Sequence, residues 1–379
     1  MPSICFLSAT HGRAHNDNPQ RLSAAFAERG WSVTMADHQA VALAAGRVVL
    51  TSEDRPLDDF DLVWLFGLGE RGSFLDRMQI LMALSPDRFV VTPACLMQLH
   101  AKFALPTGPL AHHHPETHAS HDPARLRRIV ERGGVWIAKP TAGSYGRNVF
   151  KVQREDPNLD VILESLTGHD GSSYCLLQRY VSEIEAGEKR VLVANGRSIG
   201  CYLRLPHRDH RANLAGDGEA VVTTLSAAEA SLVNRCATWL AAQGAGFAAV
   251  DIAYPWIVEF NVANPGGLQT IERLTGQNYA TAAADALIAR FNAGRRRACL
   301  DDQRLHALER ILAFIQCADV PADDVVAIGS IGLPEQRQRF LQPLDFAFEQ
   351  HDDIVERAVQ HHLILASIHL HIPRATPIG

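Results

Sequence analysis

The chain has 379 residues, 47% of them hydrophobic and 21% charged, which is the balance of a globular protein with two or three domains rather than one core. Its 42 acidic and 36 basic residues leave a formal net charge of -6, which argues against general polyanion binding and so against nucleic acid as a partner. No apolar run reaches the ~18 residues of a membrane helix. The start lacks a basic segment followed by a long apolar one, and the 7 cysteines are scattered without a CxxC pair. A cytoplasmic chain with reduced, mostly buried thiols is therefore expected, with no membrane partner.

Strand and helix signals alternate from the first residues. Ile4–Ser8 reads as a strand, and Asn18–Phe26 reads as a helix with Asn18 as its N-cap and Gly30 as its end. Strands follow at Trp31–Ala36 and Asp61–Phe66, then a helix at Phe74–Leu84 and a strand at Arg88–Thr92. This alternation predicts an α/β domain over residues 1–110 with a mainly parallel sheet, closing where Pro106, Gly108 and Pro109 punctuate the chain. From residue 111 the grammar becomes α+β. Asp122 caps a helix that opens on Pro123, and Val135–Pro140 and Asn148–Val152 form a hairpin. A helix at Asn158–Leu166 precedes strands at Tyr174–Tyr180, Glu188–Asn195 and Ser198–Pro206. The amphipathic helix Ala227–Ala242 leads into strands Gly246–Ala253 and Trp256–Val262, and a last helix, Asn278–Asn292, ends at Gly294. Residues 299–379 form a separate block, helical at Asp302–Ile315 and strand-like at its end.

Three constellations carry chemistry. Lys139 leads into a turn in which Gly143, Ser144 and Gly146 let backbone amides point at an anion; a plain hairpin turn is the alternative reading. Asp251 and Glu259-x-Asn261 lie in apolar strands, with Glu259 and Asn261 on one face, and offer hard oxygen ligands suited to Mg²⁺. Gln178, Arg179, Tyr180 and Val181, then Glu188, Arg190 and Arg204, embed charge in strands, where it needs counter-charges or ligands; salt bridges to Asp251 or Glu259 are the competing reading. A polar, glycine-containing stretch near 205–220 has the composition of a lid.

In this order, these segments resemble the ATP-grasp superfamily, and most closely bacterial glutathione synthetase. The carriers are Glu155–His169, Gln178–Pro206, Ala212–Ala220 and Val250–Glu272. The likeness is strong over about 135–290 and weaker in the first domain. It implies an ATP-grasp fold, with a Rossmann-like pre-ATP-grasp domain at 1–110, the ATP- and Mg²⁺-binding domain at 111–298, and a C-terminal extension at 299–379. It also implies an ATP-dependent carboxylate–amine ligase working through an acyl phosphate, using ATP and two Mg²⁺. Lys139 and the Gly143–Ser144–Gly146 turn would meet phosphates, and Gln178, Arg179, Tyr180 and Val181 would form the adenine hinge, chiefly through backbone groups. Glu188 would hold the ribose, and Asn213 would approach the nucleotide from the lid. Arg190 and Arg204 would be catalytic, holding the transferring phosphoryl and acyl phosphate, while Asp251, Glu259 and Asn261 would hold the metal. Asn264, Gly266 and Gly267 would line the acceptor pocket.

This sequence departs from the glutathione enzyme at three places. Its phosphate turn reads Ala142-Gly143-Ser144-Tyr145-Gly146-Arg147, closer to glutamate-adding ligases; Trp64–Phe74 stands where the family has an Arg-Lys-Asp-diproline stretch; and Asp122-Pro123 replaces a family lysine, unless Lys102 serves instead. The expected substrates are accordingly an amino acid, glutamate favoured, and a peptide or cofactor acceptor such as a methanofuran- or methanopterin-type coenzyme. Glycine addition to γ-glutamylcysteine is the alternative, and a non-catalytic ATP-binding scaffold the remaining one. The extension is expected to serve a homo-oligomer contact or to cover the acceptor's channel. His112, His113, His114, His118 and His121 read as a solvated connector in preference to a metal site, His369 and His371 as a polar strand face in preference to a metal-chelating pair, Arg71 and Arg77 as surface groups in preference to contacts for an anionic acceptor, and Cys5 and Cys95 as core.

Overall fold

The computed structural model describes residues 1–8, 17–141, 147–168, 170–206 and 219–317. The turn residues Gly143, Ser144 and Gly146, the lid residue Asn213, the pair His369 and His371, and residues 318–379 lie outside them. Met1–Phe291 forms one compact body, which the chain leaves at Asn292.

The first part contains β1 (Ser3–Ser8), α1 (Asn18–Glu28), β2 (Ser32–Asp37), β3 (Val41–Ala44), β4 (Arg47–Leu50), β5 (Arg55–Pro56) and β6 (Leu62–Leu65). Helices α2 (Phe74–Leu81), α3 (Pro93–Leu99) and α4 (Ala104–Thr107) follow. β1 lies between β2 and β6, parallel to both, as a βαβ crossover through α1 requires. α1 is capped by Asp17 without a side-chain bond; Asn18, expected as the cap, is the first helical residue, and its amide donates to the Pro265 carbonyl at 2.6 Å. The strand expected at Arg88–Thr92 does not form a ladder. Its backbone is shared instead between two partners: Val90 N donates to Val63 O, while Val90 O accepts from Gly246 N. That segment stitches the first sheet to Gly246, where the chain enters the strand Phe247–Ala253.

The second part contains β7 (Thr117–Ser120), α5 (Pro123–Val130), β8 (Trp136–Pro140), β9 (Phe150–Val152), α6 (Leu159–Thr167) and β10 (Cys175–Arg179). The strands form an antiparallel sheet in the order β7-β10-β8-β9. Asp122 caps α5 as expected, accepting from Ala124 N at 2.9 Å. Then come β11 (Glu188–Ala194), β12 (Arg197–Leu205), β13 (Glu219–Val222), α7 (Ala227–Ala242), β14 (Phe247–Ala253), β15 (Trp256–Asn261), α8 (Leu268–Thr275) and α9 (Tyr279–Cys317). The five strands lie in the antiparallel order β13-β12-β11-β14-β15. α9 runs through Gly294, where an end was expected. One helical glycine costs about 1 kcal/mol, and the arginines and alanine that follow are good helix formers, so nothing there forces a stop.

The cores do not divide at residue 110. One core joins the first sheet to the five-stranded sheet: Trp64 of β6 meets Phe247 of β14 edge-on at 5.6 Å and stacks with Phe6 at 5.5 Å. A second, smaller core lies under the four-stranded sheet, built from Leu126, Ile129 and Val130 of α5, Leu159 and Leu163 of α6, and Trp136 and Leu177 of the strands. No helix among the described residues is long and apolar enough to cross a membrane.

Candidate active site

The charged residues converge because of strand register. Along β11, Glu188 and Arg190 are two residues apart and share a face. Glu188 pairs with Arg204 of β12, Arg190 with Asp251 of β14, and Asp251 in turn with Glu259 of β15. Four neighbouring strands thus carry a continuous row of charge across one sheet.

The row is tightly paired. Asp251, 2% exposed, accepts two contacts from Arg190, from Nε at 2.8 Å and from Nη2 at 2.7 Å, and a third from Arg204 Nη2 at 2.9 Å. Asn261 donates to the same carboxylate at 3.0 Å. Arg204 also bonds Glu188, and Arg190 Nη1 donates to the Gly266 carbonyl at 3.1 Å. The salt-bridge reading of the two arginines is therefore realised in this state. Burial alone would raise the Asp251 carboxyl, but Arg190 and Arg204 outweigh it and hold the group well below the usual carboxylate range. Burial does win at Glu188, pushed up to about 7 despite Arg204, because Asp251 adds like charge and shares the same guanidinium.

Lys139, 7% exposed, faces this row from the smaller sheet. Burial, then the like charge of Lys102, pulls its pKa down to about 8, against the carboxylates Glu259, Glu188 and Asp251. Its Nζ donates to Gln178 Oε1 at 2.7 Å. Lys102, raised in the sequence only as a stand-in, reaches Glu259 Oε1 at 3.2 Å. Its backbone is left-handed, φ 65°, a strained conformation for a non-glycine residue that aims the amine inward from the end of α3. Burial opposes ionisation of Glu259, but Lys102 and Lys139 outweigh it and lower its pKa. A cleft between the sheets is lined by Leu105, Leu176 and Phe260 with Lys102, Lys139 and Glu259.

Two carboxylates in cross-strand register and one carboxamide make an all-oxygen donor set, which fits a hard divalent ion such as Mg²⁺. Both carboxylates already have cationic neighbours in Arg190, Arg204 and Lys102.

At the end of β10, the backbone amides of Arg179 and Tyr180 donate to Glu116 O and Val135 O. The Arg179 guanidinium lies 4.0 Å over the Trp136 ring and bonds Gly133 O and Glu116, so it faces the small core. Tyr180 bonds Glu185 through its hydroxyl at 2.7 Å. Beyond β15, Gly267 has φ 129° and caps α8, and a Cβ there would stand 2.8 Å from the Tyr202 hydroxyl. Asn264 lies in the same loop, and Gly67 N donates to Ala263 O at 2.7 Å, so the first domain reaches this loop as well.

Three expectations change. His114 is not a solvated linker residue: it is half-buried, with Nδ1 2.8 Å from Ile257 O and Nε2 3.3 Å from Gln178 Nε2. His113 bonds Arg235 at 2.8 Å. Arg77 is buried at 4% exposure, with Nη1 2.9 Å from Ser73 Oγ. The first two were hidden because a His-rich run beside prolines gives no periodic signal. Cys5 and Cys95 are buried as expected, and burial pushes both thiols up to about 12. Among the described residues no group of three or more His, Cys, Asp or Glu side chains is placed to hold a metal ion.

Residues 104–276 match the family described as prokaryotic glutathione synthetase, ATP-grasp domain. Glutathione synthetase of Xanthomonas axonopodis pv. citri is 30% identical over 261 residues, 68% of this chain and 77% of that one. The Salmonella typhimurium enzyme is 36% identical over 160 residues, 42% of this chain, so the match spans only about half (50%) of that relative. Among solved structures, D-cycloserine synthetase DcsG shares the fold with a TM-score of 0.59 at 16% identity, over 76% of this chain and 99% of that one.

Proposed function

Because the chain belongs to the ATP-grasp superfamily, in the family of the prokaryotic glutathione synthetases, we propose that it is an ATP-dependent carboxylate–amine ligase. The observation that carries this reading is the row Glu188–Arg190–Arg204–Asp251–Glu259 on one sheet, faced by Lys139 from the other. A substrate carboxylate oxygen attacks the γ-phosphorus, ADP leaves, and an acyl phosphate forms. An amine then attacks the carbonyl carbon, phosphate leaves, and the nitrogen gives up its proton. No side-chain nucleophile is needed; the protein positions the reactants and neutralises spreading negative charge.

In this reading Lys139 holds a nucleotide phosphate. Arg190 and Arg204 shift from Asp251 onto the transferring phosphoryl group, since a guanidinium fork suits phosphate as well as carboxylate. Asp251, Glu259 and Asn261 would hold Mg²⁺, which supplies charge neutralisation between the phosphates. Glu188 would lie beside the ribose, the segment 178–181 at the end of β10 beside the base, and the loop at Asn264, Gly266 and Gly267 beside the acceptor. From their place in the sequence, Gly143, Ser144 and Gly146 are proposed for phosphate binding and Asn213 for the lid, and the ion count of two stays part of the proposal.

The names of the relatives favour γ-glutamylcysteine and glycine as substrates. Glutamate addition to a cofactor or peptide keeps support from the Ala142–Arg147 turn and from the replaced stretch at Trp64–Phe74. Mg-ATP turnover with mass-spectrometric product detection separates them. Glutathione from the first pair supports the first reading, and increments of one glutamyl unit on a supplied acceptor support the second. Nucleotide binding with no ADP formed on either set, or on pooled carboxylate acceptors, would favour the scaffold.

A further inference from the structure

We propose that His114, as the neutral Nδ1–H tautomer, is a positioning residue that fixes Gln178 and through it aims Lys139 at the nucleotide phosphate. The inference rests on the nucleotide-binding reading above and adds to it a residue outside the row of charge.

The direction of the chain of hydrogen bonds is set from both ends. An ammonium only donates, so Lys139 Nζ must meet the oxygen of the Gln178 amide, at 2.7 Å. The Gln178 nitrogen then points the other way, to His114 Nε2 at 3.3 Å, and can only donate. From the far end, the Ile257 carbonyl only accepts, so His114 Nδ1, 2.8 Å away, must carry the hydrogen. One neutral tautomer satisfies both contacts: Nδ1 protonated and Nε2 bare. A proton on Nε2 would face the Gln178 nitrogen, and the amide would have to turn and present two N–H groups to Lys139. The imidazole is suited to staying neutral, because burial pulls its pKa down to about 4 against the Ile257 carbonyl, with Lys139 adding like charge.

The relay also spans the site. Gln178 belongs to β10 of the small sheet and Ile257 to β15 of the large one, two residues before Glu259. His114 therefore ties the lysine on one wall to the strand that carries the carboxylate on the other. Gln178 is 4% exposed, so its amide has no water to replace a lost partner.

Two substitutions separate positioning from mere packing. His114→Asn keeps a donor where Nδ1 stood, for Ile257, but cannot reach Gln178. His114→Gln places an amide oxygen where Nε2 stood, to accept from Gln178. ADP affinity is measured by calorimetry for both and for the wild type, beside thermal melts and imidazole ¹⁵N shifts of the wild type at pH 7. The relay predicts a pyrrole-type Nδ1 and a pyridine-type Nε2, ADP binding weakened about 5- to 10-fold in His114→Asn, and recovery to within about 2-fold in His114→Gln. An Nε2–H tautomer, equal binding in both variants, or equal weakening in both would overturn it. Wild-type protein that binds no ADP, with or without Mg²⁺, would instead overturn the nucleotide reading, and with it the purpose of the relay.

Discussion

Lys139 is a cation kept in a place that burial makes uncomfortable, and its pKa of about 8 lies within working range. A phosphate beside it would favour the charged form. Above pH 8 the free protein carries a growing share of neutral Lys139, and nucleotide binding must then draw a proton from solvent. Affinity is thus expected to fall as pH rises through 8, with proton uptake on binding largest near and just above that value. Calorimetry in two buffers of different ionisation enthalpy measures this; uptake that is unchanged in Lys139→Met would assign it elsewhere. Asp251 and Glu259 should part company under substitution. Asp251→Asn leaves Arg190 and Arg204 buried with too little counter-charge, which costs about 3–5 kcal/mol of stability in addition to activity. Glu259→Gln loses one partner of a half-buried pair, so its melting point should move little while the Mg²⁺ concentration needed for turnover rises at least about 10-fold. Equal metal requirements for Glu259→Gln and wild type would remove Glu259 from the ligand set.

The elements show which signals survive the passage from sequence to structure. α7 begins on a capping box in which Ser226 and Glu229 satisfy each other's backbone amides, and Glu229 also bonds Lys189 of β11 at 2.8 Å. Ser226→Ala should therefore cost about 1 kcal/mol, and Glu229→Ala more, because the second also unties the helix from the sheet; paired denaturant melts test the order. That helix, β14, β15 and the Asp122-capped α5 were legible because periodicity and caps agree there. The hairpin of β3 and β4 was not. Its turn is Ala45-Gly46, both with positive φ (48° and 81°), and alanine in the first position conceals the Asn-Gly or Asp-Gly signature such a turn usually displays. Arg88–Thr92 reads as a strand because its composition is right, yet its hydrogen bonds go to two different elements, a tertiary choice no local pattern records. The site followed the same rule. Asp251, Glu259, Asn261, Arg190 and Arg204 could be proposed from charge in apolar strands. The His114 contacts depend on a connector folding back against β15, which spacing does not encode.

At the scale of the whole body, two cores of unequal size imply two levels of stability. The larger core buries aromatic residues from the first sheet and both faces of the region around β14, whereas the smaller rests on α5 and α6 against one four-stranded sheet. Less buried apolar area means a lower opening free energy, so the sheet that carries Lys139 and Gln178 is expected to open locally before the one that carries Asp251. Hydrogen exchange followed by mass spectrometry should show β8 and β10 exchanging faster than β1 and β14. Leu163→Ala, which removes a fully buried side chain of the smaller core, should widen the gap by about 2–5 kcal/mol in the small sheet alone. Nucleotide should then narrow it, because a ligand held between the two sheets stabilises the weaker one most, by an amount that grows with ligand concentration over Kd. Uniform acceleration across β1, β8, β10 and β14 in Leu163→Ala would mean that the two cores unfold as one unit, and separate stabilities for the two sheets would lose their physical basis.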